Sequence, residues 1–243
     1  MPPVAWATRR VIERPHNHPS MGTLYLVRHG QASFGADDYD RLSPLGQRQS
    51  LRLGEHLRAH GWQPDAVLCG TLRRHTQTWD ALARGLGGPT PEPLPWPGLN
   101  EYDSAALIEA LHAAPLPSPH TPEGYRQHFR LLRDALRQWM AGVLTPAGMP
   151  DYPSFVAGVV AALDHVRQLG QGRVLIVSSG GPIATAVGHL LGTTPETTIE
   201  LNLRLRNTAL TEFEFNPKRH TLQSFNTLPH LAQPEQADWI SYA

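Results

Sequence analysis

The chain has 243 residues, 40% of them hydrophobic and 17% charged, which suits one well-cored soluble domain. Its 21 Lys and Arg balance 21 Asp and Glu, so no net field draws it to nucleic acid or to an anionic membrane. No run approaches the roughly 18–20 apolar residues of a membrane span, and Cys69, the single cysteine, excludes an intramolecular disulfide framework and points to the cytoplasm.

Residues 1–20 carry four prolines and no continuous apolar core. They read as a flexible tail, or as an extension upstream of a start at Met21. His16 and His18 lie there without further ligands and are expected to be solvated, so no metal is assigned. Thr23 to Val27 is a short apolar run, the mark of a strand buried on both faces. Ser43 as cap, Pro44 at the first helical position and Gln47 predict a helix start. Leu45, Leu53 and Leu57 carry its apolar stripe to about His60, where Gly61 ends it. Ala66 to Cys69 reads as a second buried strand, followed by a helix from Thr71 to Ala83. The proline- and glycine-rich stretch from Gly85 to Gly98 is expected to be a loop.

Helical patterns then run from Ala105 to about Ala114 and from Pro122 to Val143, with a proline cluster between them, and from Tyr152 to Leu169. Arg173 to Ser178 is the plainest buried strand, and Gly180 to Leu191 the helix after it. Ala209 to Phe215 and Leu222 to Asn226 read as closing strands, and there is no internal repeat. Three strand-then-helix units predict an α/β fold with a mainly parallel central sheet and helices on both faces. Ligands in such folds sit beyond the carboxyl ends of the strands. Those ends are Arg28-His29-Gly30, Gly70-Thr71-Leu72-Arg73-Arg74 and Ser178-Ser179-Gly180-Gly181.

The residue types there suit a phosphate ester. Arg28 and Arg74 offer permanently charged forks that match phosphate oxygens. A ring nitrogen of His29 can attack phosphorus to form a phosphoramidate. Gly30 is expected to let substrate approach the backbone, and Gly180 and Gly181 open a helix whose free N–H groups favour an anion. No metal or cofactor is required.

Leu26 to Gln31, with Leu42 to Gln49 after it, resembles the opening motif of the histidine phosphatase superfamily, which includes the cofactor-dependent phosphoglycerate mutases. Leu72-Arg73-Arg74-His75-Thr76-Gln77-Thr78 is similar to its second motif and places the second phosphate arginine on Arg74 rather than Arg73. Leu99-Asn100-Glu101 resembles the stretch that carries the general acid, which implies that role for Glu101. Val174 to Ile183 resembles the last motif, and the likeness spans about Met21 to Phe215. It implies a phosphoglycerate mutase-like fold over residues 21–243, with a helical insertion at about 99–153 lying as a lid over the strand ends. Arg28, His29, Arg74 and Glu101 become the expected catalytic set, and Gly30, Gln31, Ser33, Ser179 and Gly180 the expected substrate contacts.

The sequence departs from the family at four places. Ser179 stands where the last motif carries a second histidine, and Ala32 and Gly35 replace residues that usually bond phosphate; Ser33 is a candidate to compensate. His75 follows Arg74 where a small residue is usual, and is expected to face away from the site. A phosphomonoesterase acting on a small phosphorylated substrate or a phosphopeptide is the leading function. The rivals are a mutase and a phospho-ligand-binding or regulatory protein with weakened chemistry. A serine hydrolase built on Ser179 lacks the Gly-x-Ser-x-Gly spacing and has only His189, His220 and His230 downstream. A P-loop is absent, and the sequence leaves oligomeric state open.

Overall fold

A computed structural model describes residues 21–33, 40–112 and 121–242. The expected tail, with His16 and His18, lies outside these residues, as does Gly35. Six strands form one sheet: β1 (Gly22–Arg28), β2 (Ala66–Cys69), β3 (Leu94–Pro95), β4 (Arg173–Ser178), β5 (Leu210–Asn216) and β6 (Arg219–Thr227). Their order is β3-β2-β4-β1-β5-β6. The first four run parallel, and β5 and β6 close one edge as an antiparallel pair. Helices α1 (Pro44–Ala59), α2 (Arg73–Leu86), α3 (Ser104–Leu111), α4 (Pro122–Met140), α5 (Tyr152–Leu169), α6 (Gly180–Leu191) and α7 (Pro195–Arg204) cover it.

Strand alternation decides which helix goes where. Leu24, Leu26, Val174, Ile176, Phe213 and Phe215 point to one face, where they meet α3 to α7. Val27, Val67, Cys69, Leu175 and Val177 point to the other, where α1 and α2 lie. Both faces are therefore apolar, and the strands read as continuous hydrophobic runs rather than alternating ones. Burial pushes the Cys69 thiol up to about 12, which leaves it protonated and unreactive.

The N-terminus of α1 forms as its sequence indicates: the Ser43 hydroxyl accepts from the Gly46 N–H at 3.0 Å, and Pro44 opens the helix. Three expectations change. The loop expected from Gly85 to Gly98 begins later, because α2 continues to Leu86. Gly85 does not break the helix; it lets α2 approach α1, since a Cβ there would lie 2.2 Å from the Leu51 carbonyl oxygen. The same stretch holds the edge strand β3 and a 3₁₀ turn at Pro97–Leu99. Helix α7 was not expected at all. No helix among the described residues is long and apolar enough to cross a membrane.

Candidate active site

Parallel pairing of β1, β2 and β4 aligns their carboxyl ends, with Arg28 opposite Ser178 and Cys69 opposite Val177. The three polar turns picked out in the sequence therefore meet at one edge. His29, the first residue beyond β1, is 3% exposed, and its N–H donates to the Ser178 carbonyl at 2.8 Å. Its ring Nδ1 lies 2.7 Å from the Gly30 carbonyl oxygen. A carbonyl only accepts, so Nδ1 carries the proton. Burial first, then the charges of Arg28, Arg74 and His75, hold the imidazole well below its ordinary pKa. The ring is neutral, and Nε2 keeps its lone pair.

The turn is braced from several sides. The Gly30 N–H donates to Thr78 Oγ1 at 3.0 Å, and the Asn207 side-chain amide donates to the His29 carbonyl at 3.2 Å. Gly30 itself packs against α1: a Cβ there would lie 2.5 Å from the Gly46 carbonyl oxygen. Its small size serves this helix contact. Gln31 is similarly engaged, its side-chain oxygen accepting from the Ser43 hydroxyl at 2.8 Å. The Ser33 N–H donates to the Arg41 carbonyl at 2.7 Å, and its hydroxyl has no partner among the described residues.

Arg74, the second residue of α2, is 7% exposed. Its Nη1 lies 2.7 Å from Asp40 Oδ1, while Asp40 Oδ2 accepts from the Arg73 N–H at 2.8 Å. Asp40 thus caps α2 from a distant loop and orients Arg74. Leu72, at the cap position, has no side chain to do so. Arg28 Nη1 donates to the Leu205 carbonyl.

Two hydrogen bonds carry Glu101 to the same edge. The Ser178 hydroxyl donates to the Leu99 carbonyl at 2.7 Å, and the Thr71 N–H donates to Asn100 Oδ1 at 2.7 Å. The Glu101 carboxylate then receives the Gly181 N–H at 3.1 and 3.2 Å on its two oxygens. The N-terminus of α6, expected to hold substrate phosphate, is occupied in part by this carboxylate. Burial raises its pKa above the usual carboxylate value, opposed by the Gly181 N–H, Arg74 and Arg28. Capping of α3 falls to Asp103, which accepts from Ala105 and Ala106. Glu101 is therefore free of that task.

His75 does not face away. It is fully buried, its ring centroid 5.7 Å from that of His29, and its Nε2 lies 2.7 Å from Ser179 Oγ. One signal could have placed it: His75, Trp79, Leu82 and Leu86 recur at four, three and four residues, so they form one helical stripe, and all four are buried. Asp40 and Asn207 were also missed, and nothing in their local sequence marks them. On α4, Trp139 is core, whereas Tyr125 and Phe129 are exposed. Arg133 of α4 pairs with Glu200 of α7. Among the described residues no group of three or more His, Cys, Asp and Glu could hold a metal ion.

Known proteins share this fold. A phosphoserine phosphatase from Entamoeba histolytica, solved with 3-phosphoglyceric acid, matches with a TM-score of 0.61 at 22% identity, over 87% of this chain and 100% of that one. A putative alpha-ribazole-5'-P phosphatase from Escherichia coli matches with a TM-score of 0.60 at 20% identity, over 85% and 96%. A phosphoglycerate mutase from Bacillus anthracis matches with a TM-score of 0.60 at 17% identity, over 87% and 96%. The likeness establishes a phosphoglycerate mutase-like fold. The family profile for the histidine phosphatase superfamily (branch 1) matches residues 24–228, and the chain belongs to that superfamily.

Proposed function

We propose that the protein is a metal-independent phosphomonoester hydrolase that works through a phosphohistidine at His29. The observation that carries this reading is the Nδ1–H···O bond to Gly30, which leaves a neutral Nε2 lone pair on a ring that feels the charges of Arg28 and Arg74, the same two arginines that act on the raised Glu101 carboxyl. Nε2 attacks phosphorus as the ester P–O bond breaks, and protonated Glu101 gives its proton to the departing alkoxide. Arg28 and Arg74 balance the charge on the phosphoryl oxygens. Water then attacks the phosphohistidine, Glu101 takes a proton from that water, and the P–N bond breaks to release phosphate.

A cavity of about 330 Å³ borders Glu101, Asp103, Met149, Pro150 and Phe155 and gives room for a small organic leaving group. The helical segment at 99–153 acts as the lid that sets substrate choice. The relatives solved as phosphatases, one of them with 3-phosphoglyceric acid, support a small phosphorylated substrate. A second reading, a phospho-ligand-binding protein with slow turnover, rests on the uncharged Ser179 beside His29.

Hydrolysis of p-nitrophenyl phosphate by wild type and His29→Ala separates the two. The variant is expected to lose at least about 10³-fold in kcat, and an alkaline quench of wild type should trap phosphate on His29. Equal rates would overturn the mechanism.

A further inference from the structure

We propose that His75 is a positioning residue for this reaction, acting through Ser179: its imidazole fixes the Ser179 hydroxyl so that a directed O–H donor faces the phosphoryl group beside His29. The inference rests on the phosphomonoesterase reading and adds a part to its site.

Ser179 occupies the N-cap position of α6, with extended backbone, yet its side chain makes no capping bond. Serine is among the favoured capping residues, so a hydroxyl that turns from the helix has been drawn elsewhere. The Gly181 N–H that a cap could have taken goes to Glu101 instead. Ser179 Oγ meets His75 Nε2 at 2.7 Å, with both residues fully buried. Ser178 donates its hydroxyl to Leu99, lies opposite Arg28 and accepts from the His29 N–H, so Ser179 stands level with the turn that carries His29.

His75 is costly to bury. Its Nδ1 faces Gly70 without a well-aligned hydrogen bond, and a Cβ at position 70 would lie 2.2 Å from that nitrogen. Packing alone gives no reason for an imidazole there, because an apolar ring would fill the volume without an unsatisfied nitrogen. The polar function lies on the Nε2 side. Burial, with Arg74 beside it and opposed by the Gly70 backbone, holds His75 down to about 3, so it is neutral and has a single ring proton. A phosphoryl group presents only acceptors, so Ser179 must donate to it. Its oxygen must then accept from His75, which places the ring proton on Nε2. Against the poorly aligned Gly70 contact, which favours a proton on Nδ1, a bound phosphoryl group thus selects the Nε2–H tautomer. In effect, an imidazole from α2 and a hydroxyl from the β4–α6 turn together supply one preorganised donor.

A double-mutant cycle tests this, with kcat for p-nitrophenyl phosphate and Kd for orthovanadate read for His75→Ala, Ser179→Ala and the double variant. Each single variant should lower kcat about 100-fold, the usual loss for one preorganised donor, and weaken vanadate. The double variant should lose no more than either single one, because the two groups act as a unit. His75→Gln, whose amide nitrogen reaches the same place, should recover part of the loss, and it decides the matter if His75→Ala does not fold. Multiplying losses, or unchanged kcat and Kd in His75→Ala and His75→Gln, overturn the inference while wild-type turnover still upholds the phosphatase. Wild type that binds vanadate with the expected coupling but never turns over upholds the His75–Ser179 unit and overturns the phosphatase. Wild type that does neither overturns both.

Discussion

The Gly181 N–H bridges both oxygens of the Glu101 carboxylate, and a Cβ added at position 181 would lie 2.2 Å from Oε1. Helix α6 therefore holds the candidate acid by a contact that only glycine permits. In Gly181→Ala the carboxylate has to leave its seat, since Tyr102 ring carbons also crowd the new methyl at 2.6 Å. Hydrolysis of alkyl phosphates is expected to fall about 10²-fold in kcat. p-Nitrophenyl phosphate, whose leaving group needs little protonation, should lose much less. Equal losses on both substrates would argue that the variant disturbs the whole site.

Glu101 is raised by burial, so it holds its proton above the pH at which an ordinary glutamate has lost it. As general acid it is active below its own pKa and inactive above it. Turnover of a poor leaving group should therefore decline as pH rises through that raised value. Glu101→Gln should be slow on such substrates at every pH and lack this decline, which a pH–kcat profile of both proteins would show. A decline retained in Glu101→Gln would assign it to another group.

Asp40 serves two elements, capping α2 through the Arg73 N–H and pairing with Arg74 at 2.7 Å. Asp40→Ala should lower stability by about 1 kcal/mol, as loss of a helix cap does. It should also raise KM, because Arg74 is left without its orienting partner. Thermal unfolding and Michaelis curves measure the two effects separately. A stability loss with unchanged KM would limit Asp40 to capping.

The strand ends were legible because β1, β2 and β4 are short apolar runs that stop at polar or glycine residues, and parallel pairing does the rest. Arg28, His29 and Arg74 came with them. Helix α7 was not seen, although Thr194 and Pro195 supply a capping residue and a first-turn proline. Its body is polar, and Ile199, Leu201 and Leu203 alternate as a strand would. Strand β3 is two residues long and contains Pro95, which only an edge position tolerates. His75 was misread because a polar residue beside two arginines suggests a solvated face, while the stripe it shares with Trp79, Leu82 and Leu86 says the reverse. Asp40 and Asn207 act on residues far away in the chain, and such pairings leave no local trace.

Three buried histidines and the half-buried His220 make acid stability a further test. Burial is the largest cause that holds His29 well below the ordinary imidazole value, His75 and His230 at about 3 and His220 at about 4. Their folded values lie below the unfolded value of about 6.5, so the unfolded chain binds more protons once pH falls beneath it. Stability should be full above that pH and fall progressively toward pH 4. His230, whose Nε2 pairs with Thr208 Oγ1 at 2.9 Å, lies outside the candidate catalytic set. His230→Gln should flatten part of the slope in a series of thermal melts. A flat profile from pH 7 to 5 would contradict the neutral assignments.

Asn207 joins the His29 carbonyl to the end of the described chain: its N–H donates to the Ser241 carbonyl, and its side-chain oxygen accepts from the Ser241 hydroxyl. Gln49 of α1 donates to the Trp239 carbonyl and to the same Ser241 hydroxyl. The turn at residue 29, translated early, is thus clasped by residues translated more than 200 positions later. A nascent chain that has not yet reached Ser241 cannot have this turn fully braced. Its histidine reaches the described setting only when synthesis has passed Ser241, so a chain that stops short of that residue lacks the clasp of the candidate site.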